Sequence, residues 1–310
     1  MVKSETAQQR ARKVINRLAA FGAALLVVVM MMSALLRLRA AGLDCLDWPA
    51  CYGKVQRATA GHSIPRLLHR ISAIAAMFAV VSIAIFASTH PRFFRRELAM
   101  SAAMFALLIG LAILGRSSTG ATAPVVPLGN VIGGMLLTAM FAWIAQGDTR
   151  RGPPAPGWLA ALSWTTLFLF LLQVALGVMT SASHSGLACT GILTCVTDRL
   201  WEGWEVGQFN PWREMPPSAA VHAAHRIGAL AILVMGLFMA YGLRGVCRVR
   251  AAVLGTAVLM QSAIGVALVV YSLPLLAAVA HNAGAAALLI TLVAAHHAIL
   301  RSREGMQELI

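Results

Sequence analysis

Apolar residues gather along the chain in long runs near 18–36, 67–88, 97–115, 123–145, 157–180, 219–243, 250–271 and 274–299, parted by shorter polar stretches. Each run is close to the roughly 20 residues that a helix needs to cross the hydrocarbon core of a bilayer. The pattern predicts eight transmembrane helices and an all-α integral membrane protein. The first run is too long for the apolar core of a signal peptide, and Leu36-Arg37-Leu38-Arg39 follows it in place of a small-residue cleavage pattern. It is therefore expected to be a retained helix. The short connections Arg116–Thr122 and Ser272–Pro274 predict antiparallel hairpins between the helices that they join.

Composition agrees with the pattern. Apolar residues make up 59% of the 310 positions and charged residues 12%. With a mean hydropathy of +0.77, the bilayer has to act as solvent. The net charge of +14 invites a nucleic-acid reading, but the basic residues form short clusters between apolar runs and make no continuous face. No nucleic-acid partner is expected.

The clusters orient the chain instead. Lys3, Arg10, Arg12, Lys13 and Arg17 precede the first helix. Arg92, Arg95 and Arg96 lie between the second and third, and Arg150 and Arg151 between the fourth and fifth. Arg244, Arg248 and Arg250 follow the sixth, and Arg301 and Arg303 the eighth. With eight spans all five segments share one side, and the positive-inside rule makes that side, with both termini, cytoplasmic. The long connections 37–66 and 181–218 then face outward. Cys45, Cys51, Cys189 and Cys195 fall in those two connections, where disulfides persist, whereas Cys247 falls on the reducing side.

The outward connections also carry a repeat. Gly42-Leu43-Asp44-Cys45, five residues and Cys51 are matched by Gly186-Leu187-Ala188-Cys189, five residues and Cys195. His69-Arg70-Ile71 near the start of the second helix is matched by His225-Arg226-Ile227 in the sixth. Both motifs recur in order, about 150 residues apart, so the chain reads as two tandem four-helix bundles related by a pseudo-two-fold axis along the membrane normal. The division runs 1–17 (cytoplasmic segment), 18–148 (first half), 149–299 (second half) and 300–310 (cytoplasmic tail).

Ionisable groups inside a membrane are costly and tend to mark function. His225 and His281 lie in one half, near the outer ends of the sixth and eighth helices. Two imidazoles from opposite helices of a bundle suit the axial positions of a b-type haem. His69 has no obvious second histidine in its own half. His222, three residues before His225, reads as an interface residue, and His296 and His297 at the cytoplasmic end as solvated. Arg70 and Arg226 either pair with anionic haem propionates or snorkel to the headgroups. Each cysteine pair either braces its loop as a disulfide, for about 2 kcal/mol, or exchanges redox state during turnover. Zinc is disfavoured, because His62 and His184 are not spaced for a closed site with the cysteines. Trp201, Trp204 and Trp212 suggest an interfacial segment over the outer face.

Gly42-Leu-x-Cys-x-Asp-Trp-Pro-x-Cys-x-Gly53, the paired His-Arg helix starts, and Leu273-Pro274-Leu275 leading to His281-Asn282-Ala283-Gly284 together resemble the haem A synthase family over essentially the whole chain. The resemblance implies oxidation of the C8 methyl of haem O to a formyl group, giving haem A for terminal cytochrome oxidases in a bacterial plasma membrane. It implies a resident haem b with His225 and His281 as axial ligands to its iron, and His69 facing the substrate haem. It also implies an electron donor and dealings with the haem O synthase that makes the substrate. Two positions depart from the family. A second histidine expected on the fourth helix is replaced by Leu128-Gly129-Asn130, leaving Asn130 to bond a ligand or water, and a glutamate expected three residues before His69 is Arg66. These departures favour an alternative, a non-catalytic b-type cytochrome or haem carrier in oxidase assembly. A transporter fits less well, because the candidate residues lie toward the outer side and not at the midplane. The sequence leaves homo-oligomer formation open.

Overall fold

The computed structural model describes residues 2–40, 63–116, 125–147, 153–189 and 218–307. Among them the chain forms α1 (Val2–Ala40), α2 (Ser63–Ser88), α3 (Arg95–Arg116), α4 (Val125–Gln146), α5 (Gly157–Ala182), α6 (Ser218–Leu243), α7 (Arg248–Val270) and α8 (Leu275–Gln307), with a 3-10 turn at Ser185–Leu187. All eight helices are long and apolar enough to cross a membrane. Outward-turned Phe78, Ile113, Trp164, Leu230, Val253 and Leu276 are exposed, which a protein in water would not tolerate across every helix.

Two helices outrun their apolar segments. α1 has 39 residues, about 58 Å at 1.5 Å per residue, and the stretch before position 18 is its first turns, not an extended tail. Gln8, Gln9, Arg10, Ala11, Arg12 and Lys13 are good helix formers, so the helix continues into the basic cluster. α8 likewise continues through Arg301 and Arg303 to Gln307.

The helices close into two four-membered rings. α1, α2, α3 and α4 pack in cyclic order, and so do α5, α6, α7 and α8. Between the rings, α1 packs on α8, α4 on α8 and α4 on α5. Exchanging α1–α4 for α5–α8 in order maps this contact set onto itself. One end of the molecule carries the basic clusters; at the other, the loop end, α1 and α5 finish while α2, α6 and α8 begin.

Each ring has its own apolar centre. Ile15, Ile83, Met104 and Phe141 are fully buried in the first, and Met239, Leu243, Leu254, Leu288 and Leu292 in the second. A smaller cluster of Ala34, Leu38, Leu268, Ala278 and Val279 sits toward the loop end and joins α1 to α7 and α8. Several buried hydroxyls are satisfied within their own helices, as where Thr138 donates to the Gly134 carbonyl at 2.8 Å and Thr166 to that of Leu162 at 2.7 Å. At the basic end Arg12 pairs with Glu97 and lies over the Phe94 ring, 4.6 Å from its centroid. The turn into α8 is tight. Ser272 and Leu273 hold φ of 54° and 60°, an uncommon region for a branched side chain, and Pro274 then opens the helix.

Close approach of α1 to α4 requires Gly22, because a Cβ there would overlap the Phe141 ring. Gly22→Leu is therefore expected to force Phe141 from its fully buried site and lower stability by about 1–3 kcal/mol, read as a drop in the unfolding midpoint in detergent.

Candidate functional site

The residues most able to bind something lie near the loop end of the second ring. α6 and α8 stand diagonally across that ring, each separated from the other by α5 and α7. His225 from α6 and His281 from α8 nonetheless meet at its centre, with ring centroids 6.5 Å apart and ring planes inclined at 79°. Small residues let them approach. A Cβ on Gly177 of α5 would stand 2.9 Å from Cε1 of His225, and one on Gly265 of α7 would stand 3.3 Å from Cε1 of His281.

Each imidazole is held by a glutamine from the preceding helix. Gln173 of α5 donates its amide N–H to the His225 carbonyl at 2.8 Å, with Nε2 also 3.0 Å from His225 Nδ1. Gln261 of α7 donates to the His281 carbonyl at 3.1 Å, with Nε2 3.2 Å from Nδ1. Which ring nitrogen carries the proton follows from how that amide is turned. The other end of each amide lies over a glycine one turn past the histidine: a Cβ on Gly228 would overlap Gln173 Oε1, and one on Gly284 would overlap Gln261 Oε1. The unit is thus Gln-x-x-x-Gly on one helix and His-x-x-Gly on the next, and it occurs twice, at 173–177 with 225–228 and at 261–265 with 281–284.

This unit was missed in the sequence. The histidines drew attention, whereas glutamines in apolar helices did not, although both stand at identical spacing from a glycine. Arg37 was missed too. It reaches from α1 to Ser181 Oγ of α5 at 3.2 Å and Asn282 Oδ1 of α8 at 3.3 Å.

The other expected residues are more dispersed. His69 is half-buried near the start of α2, and Arg70 and Arg66 beside it are exposed. Asn130 is half-buried in α4. α2 and α4 are diagonal in the first ring as α6 and α8 are in the second, yet no hydrogen bond joins His69 to Asn130. Arg226 donates from Nη2 to the Cys189 carbonyl at 2.8 Å, tying α6 to the segment that follows α5. Cys189 is buried, with Sγ 3.9 Å from the Ala219 carbonyl oxygen. Cys45, Cys51, Cys195, His62 and the tryptophans at 201, 204 and 212 lie outside the described residues. Cys247 is a free thiol, and His222 is buried as an interface residue.

One expectation is overturned. His296 and His297 are not solvated; they are 2% and 6% exposed. Because α8 packs against both α4 and α5 at this level, both histidines sit inside the seam between the rings. His296 Nδ1 is 2.8 Å from Ser163 Oγ, and its ring lies edge-on to Trp164 at 4.3 Å. His297 meets Trp143 edge-on at 4.9 Å. The cavity of about 400 Å³ at this end, lined by Arg12, Arg95, Arg96, Trp143 and His297, contains none of the expected site residues.

The donor set suits a metal held between two imidazoles. A metal–nitrogen bond of roughly 2 Å on each side, with about 1.1 Å from nitrogen to ring centre, places two such rings ~6 Å apart, close to the 6.5 Å seen. A ligating imidazole also wants an acceptor for its second N–H. Oε1 of Gln173 and of Gln261 are both buried with no hydrogen-bond partner among the described residues, while Nε2 is the amide atom that faces each Nδ1, so an acceptor for a ring N–H at Nδ1 requires the amide to be turned over.

If the amides are held as described, Gly228→Ala drives Gln173 from its place and lowers the unfolding midpoint, by about 1–3 kcal/mol. Adding Gln173→Ala recovers most of the loss. Purely additive losses in the double variant would show that no such contact exists.

Comparison with known proteins identifies the family. The profile of the Cytochrome oxidase assembly protein family matches residues 68–293, a span that includes α2 to α8 and both halves of the histidine–glutamine unit. A heme A synthase of Shewanella oneidensis is 28% identical over 308 aligned positions, covering 86% of this chain and 91% of that protein. A heme A synthase of Methylobacterium radiotolerans is 33% identical over 187 positions, covering 56% of this chain and 48% of that protein. With eight apolar helices, a duplicated His-Arg motif and a match through both rings, the chain belongs to the Cytochrome oxidase assembly protein family, the haem A synthase family that its motifs resemble.

Proposed function

We propose that this chain is a haem A synthase, a membrane oxidoreductase that oxidises the C8 methyl of haem O to a formyl group and so makes haem A for a cytochrome oxidase. The reading rests on the family membership together with one observation, the meeting of His225 and His281 from diagonal helices at 6.5 Å. His225 and His281 would hold the iron of a resident b-type haem, which when bound would supply one-electron redox chemistry. Gln173 and Gln261 set the orientation of the two rings. Their apolar surroundings of glycine and alanine exclude water from the pair. In the first half His69 faces the iron of the substrate haem O, and Asn130 on the diagonal helix offers an amide to a ligand or water on the other side. Arg226 steadies the outer loop and, with Arg70, stands on the side where propionates emerge. Cys45 with Cys51, and Cys189 with Cys195, brace the two outer loops as disulfides.

The same reading orients the molecule. The basic end, with both termini, faces the cytoplasm of a bacterium, and the cysteine loops face outward from the plasma membrane. Haem O arrives through the lipid bilayer or from the synthase that makes it, and a membrane electron donor completes the turnover. A second reading keeps weight because Asn130 replaces an imidazole: a non-catalytic b-type cytochrome or haem carrier in oxidase assembly.

The purified protein is expected to show a low-spin b-type spectrum on reduction, and extraction should yield haem B together with haem O or its oxidised products. His225→Ala and His281→Ala are each expected to abolish the resident signal; an unchanged spectrum in both removes the axial assignment. Haem B alone, after expression with ample haem O, selects the carrier. In membrane vesicles Cys247 is expected to react with an impermeant maleimide only when they are inside-out. Labelling in right-side-out vesicles reverses the orientation.

A further inference from the structure

Arg37 is a cation inside the membrane-spanning part of the molecule, and its surroundings are incomplete for a charge. It belongs to α1, in the first ring, yet its guanidinium reaches two helices of the second. Nε donates to Ser181 Oγ at 3.2 Å and Nη2 to Asn282 Oδ1 at 3.3 Å. The acceptor on α8 is fixed, because Asn282 donates its own Nδ2–H to the Ala278 carbonyl at 2.8 Å and so turns Oδ1 toward the arginine. On either side the seam is apolar, with Ala34 and Leu38 of α1 and Ala278 of α8 buried.

Both oxygens are neutral. A guanidinium has five N–H donors in a planar fork, and a charge drawn out of water needs an opposite charge as well as hydrogen bonds. Among the described residues the one salt bridge is Arg12–Glu97, at the opposite end of α1. Among the described residues this cation, held by contacts from two helices of the second ring, has no anion beside it.

Its position says which anion. Asn282 directly follows His281, and Ser181 lies one turn beyond Gly177, the residue that backs the His225 ring. With Ser181 one turn nearer the loop end than Gly177 and the Asn282 side chain folded back to Ala278, Arg37 stands beside the histidine pair toward the loop end, between the helix that carries His281 and the helix that backs His225. The other arginine near the pair, Arg226, already donates to the Cys189 carbonyl, and Arg70 is exposed in the other ring. We propose that Arg37 forms a carboxylate-binding site at the seam between the two halves, and that its occupant is a propionate of the haem held by His225 and His281. The inference rests on the haem reading of that pair and adds to it a cross-half contact, by which the first half holds the cofactor of the second.

The test uses the full chain, prepared without haem and loaded in detergent with either haem b or its dimethyl ester, which has no carboxylate. The readout is the rate of porphyrin loss to a scavenging apomyoglobin, together with the low-spin spectrum. In the wild type the ester is expected to leave about ten- to a hundredfold faster than the acid, the cost of a charged hydrogen bond. Arg37→Gln is expected to release the acid form about as fast as the wild type releases the ester, and to be indifferent to esterification, while keeping the low-spin spectrum. Asn282→Asp, which preserves shape, gives Arg37 an internal counter-ion and should also shrink the acid-to-ester difference. Were Arg37→Gln to fold poorly, Asn282→Asp alone decides. An esterification effect of equal size in the wild type and both variants overturns the site while leaving the histidine pair intact. A wild type that takes up neither porphyrin overturns both.

Discussion

The structure is organised around a pair of half-buried imidazoles brought together inside a bundle of apolar helices. In a bundle of apolar helices, two histidines meeting at 6.5 Å require that everything nearby be arranged for them. Glycines at 177 and 265 clear space for the rings, glutamines at 173 and 261 orient them, and glycines at 228 and 284 make room for the glutamines. The apolar remainder of each ring follows ordinary packing rules and would tolerate exchange of one aliphatic residue for another. The histidine unit would not, because each part is defined by the shape of its neighbour.

Much of the fold was legible because the bilayer imposes one strict rule, that a spanning segment satisfies its own backbone. Length and hydropathy alone located all eight helices to within a few residues of their apolar limits. Where the reading fell short, at the start of α1 and the end of α8, the bilayer rule no longer applied and ordinary helix propensity took over. His296 and His297 look solvated beside a basic cluster, but the packing of α8 on α4 and α5, which the sequence does not display, keeps them inside the seam.

The site was legible in part, for a different reason. Histidine in a membrane helix is chemically conspicuous, so His225 and His281 stood out. Glutamine and a helix-terminal arginine are common enough that Gln173, Gln261 and Arg37 did not. Only their contacts give them meaning, and contacts across 52, 20 and 245 positions of sequence are invisible to periodicity. The duplicated spacing of glutamine to glycine was the one linear signal available. His69 and Asn130 lack this support, since the apolar runs of α1 and α3 hold no glutamine and Asn130 stands where the opposing helix would carry a second histidine.

The seam between the rings has a consequence of another kind. α1 meets α8 as α5 meets α4, and α4 meets α8 directly, so the surface that one half offers is the surface that the other half receives. That self-complementary relation is how two copies of a single subunit associate. A half-length ancestor with the same seam would have paired with itself, each copy presenting a histidine-bearing bundle to the bilayer. Within one chain the two halves need not be alike: one presents two facing imidazoles, and the other a single imidazole with an asparagine on the opposing helix.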